Sequence, residues 1–221
     1  MTGPVLAGRT PGVRLDDRGR AQAAAVAERI AALPLAAVVT SPLERCVETA
    51  TTIRGAQKAA GRMPTWKQDK RLIECGYGDW TGKPIKDLVK DPMWKVVQQH
   101  PSAAVFPGGE ALADVSTRAV AAVREWDATL GPDAIWVACT HGDVIKAILA
   151  DALGMHLDQF QRIVVDPCSV SVVRYTDTRP FVLRSNDVAG ELTSFAPAPR
   201  KARGHRHGDA TVGGGAGSGT V

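Results

Sequence analysis

The sequence predicts an α/β fold, a three-layer α/β/α sandwich around a mostly parallel central sheet. Three observations predict it. Short apolar runs rich in β-formers alternate with longer stretches whose apolar residues recur every three or four positions, as strands alternating with amphipathic helices do. Two strand-to-helix junctions are abrupt, at Thr40-Ser41-Pro42 and at Thr140-His141-Gly142. The chain has 221 residues, 44% of them hydrophobic, enough for one ordinary domain to bury a sizeable core.

Taken in order, Val5 to Leu15 reads as loop, punctuated by Gly8, Pro11 and Gly12. Asp16 can cap a helix through Leu33, in which Ala23, Val26, Ile30 and Leu33 recur at helical spacing. Leu35 to Val39 is a short buried strand ending at Thr40. Ser41-Pro42 then predicts a second helix to about Ala60, with Ser at the cap and Pro at the first helical position. Pro64 to Asp69 suits a third strand, followed by a loop from Arg71 to Gly82. Short helices follow around Ile85 to Val89 and Pro92 to Gln99.

Pro107-Gly108-Gly109 breaks the chain before a longer helix with Leu112, Val115, Ala119, Val123, Trp126 and Leu130 on one stripe. Ile135 to Cys139 is a strand that stops at Thr140-His141-Gly142, and the next helix carries Asp143 in its first turn. Leu157 to Ile163 is a further short helical stretch, and Val170 to Tyr175 with Pro180 to Arg184 reads as a closing hairpin. The expected domain is 1–187. Residues 188–221 read as a disordered Ala/Pro/Gly-rich basic tail, too poor in apolar surface to order itself.

Composition excludes several classes. No run of 18 or more apolar residues predicts a membrane span, and the first residues lack the basic and apolar regions of a signal peptide, so the expected location is cytoplasmic. Cys46, Cys75, Cys139 and Cys168 are widely spaced and suit reduced thiols in the core or at a pocket edge rather than a zinc site or disulfide frame. The net charge of +4 is mostly local: from Pro197 on, Arg200, Lys201, Arg203 and Arg206 against Asp209 leave +3. The domain itself has no field suited to nucleic acid.

His141 stands where open α/β sheets bind ligands, at the carboxyl end of a strand and the start of a helix whose free N–H groups favour anions. Arg45 lies in the first turn of the other helix, where a cation opposes the helix dipole and a bound anion would favour it. A guanidinium can grip two phosphate oxygens, and an imidazolium adds a third donor. Arg45 is equally readable as a solvated partner of Glu44 or Glu48. Glu74, among Cys75, Gly76, Tyr77, Gly78 and Trp80, suits either a general acid raised by burial or a surface loop carboxylate. Glu110 reads as a helix-entry residue, and Arg118 as a snorkelling side chain or a pocket cation. His100 and His156 read as ordinary loop histidines. Arg9, Arg14, Lys83, Lys86 and Lys95 either line an anionic pocket or are solvated.

Five stretches in this order resemble the histidine phosphatase superfamily, which includes phosphoglycerate mutases, acid phosphatases and cobalamin-pathway phosphatases. They are Leu15 to Ala23, Thr40-Ser-Pro-Leu-Glu-Arg-Cys-Val-Glu-Thr-Ala50, Leu72-Ile-Glu-Cys-Gly-Tyr-Gly-Asp-Trp-Thr-Gly82, Pro107-Gly-Gly-Glu110 and Thr140-His-Gly142. The resemblance covers Leu6 to about Tyr175. It implies a phosphoglycerate mutase-like fold and a phosphomonoester phosphatase working through a phosphohistidine intermediate on a small phosphorylated metabolite, with no metal or other cofactor, no nucleic acid and no membrane partner. It gives Arg45 and His141, with Gly142, the transferring phosphoryl group. It makes Glu74 the proton donor and puts Gly8 and Arg9 in a loop near the substrate. The short insert between Gly82 and Gly108 favours a phosphatase over a mutase.

The family opens with a strand leading into Arg-His-Gly, whose His is the nucleophile, and this chain begins at a position corresponding to just after it. The Arg206-His207-Gly208 triplet in the tail has no preceding strand and is not taken as that motif. The expectation is therefore an N-terminally truncated domain lacking its first, central strand, which should lie beside Ile135–Cys139. The alternative function is a catalytically inactive phosphate-ligand binding or regulatory protein on the same fold. The sequence leaves the oligomeric state open.

Overall fold

The computed structural model describes residues 5–189; apart from Val188 and Ala189, the expected tail lies outside the described residues. Helix α1 spans Asp17–Ile30, and the Asp16 side chain caps it by accepting from the Gly19 N–H at 2.7 Å. It stops short of the expected Leu33. That residue precedes Pro34, whose ring disfavours helical backbone before it, and Leu33 is left 42% exposed.

Strand β1, Leu35–Thr40, is the centre of a three-stranded sheet. It runs parallel to β2, Thr65–Gln68, on one side and to β3, Ile135–Cys139, on the other. Alternation along β1 supplies both faces. Val38 packs with Val26, Ala27 and Ile30 of α1 and with Ala50 and Ile53 of α2, Glu44–Ala59. Ala37 and Val39 pack on the opposite side with Ala122 and Val123 of α5, Leu112–Leu130. Burying an aliphatic side chain in this way stabilises by about 1.5–3 kcal/mol.

Helix α2 begins two residues later than Ser41-Pro42 predicts. Leu43 holds the cap position without a side-chain hydrogen bond. The Ser41 N–H still donates to the Cys139 carbonyl at 2.9 Å, so the backbone remains extended beside β3 and cannot yet turn into a helix.

Between β2 and α5 lie one helical turn, α3 (Ile85–Leu88), and a short helix, α4 (Pro92–Gln99), capped by Asp91. A second core forms here around Tyr77, Trp80, Trp94, Phe106, Leu112 and Phe160. Tyr77 and Trp80 meet Phe106 edge-on at 5.0 and 5.2 Å between ring centroids. Two glycines let the loops close over it. A Cβ on Gly78 would stand 2.1 Å from the Pro107 carbonyl oxygen, and one on Gly109 would stand 2.2 Å from that of Gly76.

Helix α6, Gly142–Ala152, follows β3 directly, and a 3-10 turn spans Leu157–Arg162 where a short helix was expected. The closing hairpin is present as β4 (Val170–Arg174) and β5 (Phe181–Asp187), antiparallel to each other, but it forms a separate two-stranded sheet. Among the described residues the outer edge of β3 has no strand partner. Its side chains are half-buried or exposed, where those of β1 are almost all buried. Among the described residues no helix is long and apolar enough to cross a membrane.

Candidate active site

Parallel pairing of β1 with β3, in register at Thr40 and Cys139, brings the two strand-to-helix junctions side by side. Arg45 in the first turn of α2 thereby meets His141 at the cap of α6. Arg45 Nη2 donates to the Gly8 carbonyl at 2.9 Å and lies 3.1 Å from His141 Nδ1. Since a guanidinium only donates, Nδ1 accepts and the imidazole proton sits on Nε2, 2.6 Å from Ser41 Oγ. His141 is 6% exposed, and its pKa is held well below the ordinary value by burial first, then by Arg45, Arg118 and Arg9. It is a neutral imidazole in the unliganded protein.

Arg45 pairs with neither of its candidate surface partners. Glu44 accepts from the Gly12 N–H, and Glu48 accepts from Arg14 and from the Leu15 N–H. Arg45 Nη1 is buried with no hydrogen-bond partner among the described residues. A buried guanidinium donor left open is costly unless something accepts from it. The neighbouring helix start offers Gly142, also buried, as the first residue of α6.

Glu74 is not a surface loop residue. It is 2% exposed, with Oε1 accepting from the Cys75 N–H at 2.9 Å. Burial, and after it the charge of Asp143, pushes its pKa up to about 8 against the pull of Cys75 N–H, Arg45 and Arg118. It carries a proton at neutral pH.

Its loop is clamped by residues the sequence left in minor roles. Glu110 accepts from Arg9 Nη2 at 2.7 Å, from Arg118 Nε at 2.7 Å and Nη2 at 3.1 Å, and from the Gly76 N–H at 3.1 Å. Burial works against its charge, but these donors keep it below the usual carboxylate range. Arg118 also reaches the carbonyls of Arg71 at 2.5 Å and Glu74 at 3.3 Å, so it is a pocket cation and does not snorkel to solvent. Glu110 is thus the hub of the clamp, beyond the helix-entry role its position suggests.

Gly8 and Arg9 lie in the loop beside these groups, each already engaged. Gly8 offers Arg45 its carbonyl, and Arg9 Nε holds the Glu74 carbonyl at 2.7 Å. Lys83, Lys86, Lys95, His100 and His156 are exposed, and Arg14 pairs with Glu48. All four cysteines are free. Cys46 Sγ is 3.5 Å from His141 Nε2, but the Cys139 thiol and burial raise its pKa well above normal, so it is no thiolate nucleophile. Ser41, Asp143 and Tyr77 were not foreseen at the site. The one available signal for Ser41 was its place directly after a strand, shared with His141.

The assembled groups are an open guanidinium donor, a neutral imidazole beside it and a buried protonated carboxyl. Such a set can hold an anion and deliver a proton to it. Among the described residues no cluster of three or more His, Cys, Asp or Glu could hold a metal ion.

A family model of the histidine phosphatase superfamily (branch 1) matches residues 4–188. Phosphoserine phosphatase 1 of Hydrogenobacter thermophilus is 28% identical over 179 residues, covering 78% of this chain and 80% of that protein. Glucosyl-3-phosphoglycerate phosphatase of Mycolicibacterium vanbaalenii is 31% identical over 156 residues, 66% of each chain. Among solved structures, Bacillus stearothermophilus YhfR superposes with a TM-score of 0.72 at 30% identity, covering 81% of this chain and 89% of that one.

Proposed function

From the premise that the chain belongs to branch 1 of the histidine phosphatase superfamily, we propose that it is a phosphomonoester phosphatase whose substrate is a small phosphorylated metabolite. The observation that carries this reading is Arg45, its Nη1 buried and without a partner among the described residues, beside the neutral imidazole of His141. A phosphoryl group seated there takes hydrogen bonds from Arg45, from His141 once the anion's charge favours its protonation, and from the Gly142 end of α6. Glu74 is the proton donor. As the bond from phosphorus to the leaving oxygen breaks, that oxygen takes the Glu74 proton. The resulting carboxylate then accepts a proton from the water that hydrolyses the intermediate.

The intermediate is a phosphohistidine, formed when an attacking imidazole nitrogen bonds to phosphorus. Among the described residues His141 is the one histidine at the cradle, and it is engaged in holding. We place the nucleophile on a segment that would pair with the open edge of β3. Relatives named for phosphoserine and glucosyl-3-phosphoglycerate are consistent with small anionic monoesters as substrates.

The second reading is a binding protein without turnover, supported by the holding contacts of His141 with Arg45 and Ser41. Incubation with a generic phosphomonoester, of this chain and of a form extended by its in-frame upstream residues, separates the two. Turnover in the extended form supports the phosphatase. Saturable phosphate or vanadate binding with no turnover in either form supports the second reading. Neither binding nor turnover would sink both.

A further inference from the structure

A buried polar group lies beneath the cradle and takes no part in the steps above. Asp143 and Lys146, one turn apart on α6, are 1% and 2% exposed. Lys146 Nζ lies 3.7 Å from Asp143 Oδ1 and donates to Gln161 Oε1 at 2.9 Å. The Tyr77 hydroxyl, on a residue 1% exposed, donates to Asp143 Oδ2 at 2.7 Å. A charge pair this buried adds little net stability over apolar side chains of the same volume, so stability alone is a poor reason for it. Its connections are more informative. Tyr77 is three residues from Glu74 on one loop, and Asp143 is two residues from His141, so their bond ties the proton donor's loop to the phosphate-holding helix.

We propose that Asp143 is a positioning residue for Glu74, holding its loop against the start of α6 through Tyr77 and keeping the proton on its carboxyl until the leaving group takes it. The proposal rests on reading Glu74 as the proton donor.

The charges around Glu74 define the balance. Arg45 from α2 and Arg118 from α5 favour its carboxylate, and Asp143 from α6 opposes them. Arg9 reaches the Glu74 carbonyl from the entry loop, but its guanidinium, like that of Arg118, is paired with Glu110. His141 is neutral, and the Cys75, Tyr77 and Cys46 protons are retained, with pKa values raised by burial and, for Cys46, first by Cys139. Around Glu74, Asp143 is thus the charge that works against the pull of Arg45 and Arg118.

The test is a carbon-13 NMR titration of side-chain carboxyls in the folded chain, with the Glu74 signal identified by its loss in Glu74→Gln. In Asp143→Asn the Glu74 midpoint should fall by about one pH unit or more, and Asp143→Glu should restore it. Asp143→Asn removes the anion 3.7 Å from the buried Lys146 ammonium, so the pair Asp143→Asn/Lys146→Gln is measured beside it and should show the same fall. Tyr77→Phe keeps the charge and cuts the tether. In that variant amide exchange at Cys75 and Gly76 should quicken about tenfold or more while the midpoint stays high. An unchanged midpoint in the Asn variants, or unchanged exchange in the Phe variant, overturns the proposal. No readout needs turnover, so failure here and failure of the phosphatase reading are told apart.

Discussion

Arg45 Nη2 and His141 Nδ1 lie 3.1 Å apart, across 96 residues of chain. Burial, and after it the full positive charge against its accepting nitrogen, keeps that imidazole neutral, and the pair is left short of an anion.

Replacing Arg45 or His141 with Ala should lower kcat/KM of the turnover-competent form by about a thousandfold or more, the scale of losing a charge-stabilising donor in acyl or phosphoryl transfer. Arg45→Lys keeps the charge without the planar fork and should remain at least about tenfold below wild type. Steady-state kinetics with a phosphomonoester check this, and near-normal rates would remove both residues from the site.

Glu74 acts as an acid only while protonated, so the rate should fall as pH rises through about 8. Glu74→Gln should lose that alkaline limb. It should lower kcat by about 10²–10⁴ for alkyl phosphates and far less for an aryl ester whose leaving group needs no proton. A pH–rate profile showing the same limb in the variant would assign it to another group.

Glu74 also ties stability to pH. Its folded pKa of about 8 stands above the ordinary 4.5, so its contribution is fully present below pH 4.5 and is lost as pH rises to about 8. His141 has the opposite sign: its folded pKa is depressed, so stability is lost as pH falls below its ordinary 6.5. Denaturant melts should show Glu74→Gln becoming the more stable form, relative to wild type, between pH 5 and 8, by an amount on the order of a few kcal/mol.

Glu110→Gln should destabilise the fold by about 2–3 kcal/mol, chiefly through Arg118, because Arg9 is 38% exposed and its pair is partly screened. Chemical denaturation measures the cost. A loss under about 0.5 kcal/mol would show that the clamp does not hold the Glu74 loop.

Gly109→Ala should cost more than about 2 kcal/mol, since its Cβ would meet the Gly76 carbonyl oxygen at 2.2 Å and backbone cannot swing aside as a side chain can. Thermal unfolding reads the loss. A neutral result would mean that the loops over Tyr77 and Phe106 are looser than they stand.

Element types were legible in the sequence because each rests on local pattern. The β1 and β3 runs, the α5 stripe and the Asp16 cap all stand where periodicity puts them. The α2 start was misread because Ser41-Pro42 has the composition of a helix cap, while a backbone bond to Cys139, invisible locally, keeps Ser41 extended. Arg45, Glu74 and His141 could be singled out by position and by resemblance. Whether Arg45 faced Glu48 or a pocket, and whether Glu74 was buried, could not.

The sequence by itself determined the alternation of strands and helices, the family motifs and which charged and titratable side chains stand at the strand-to-helix junctions, because periodicity and residue type are local properties. The tertiary structure decided which of them meet. Parallel pairing of β1 with β3 sets Arg45 against His141, the Glu110 clamp fixes the Glu74 loop, and burial beside Asp143 keeps the proton on Glu74. Charge, burial and hydrogen bonding act through space, and only the folded chain brings residues so distant in sequence within their reach.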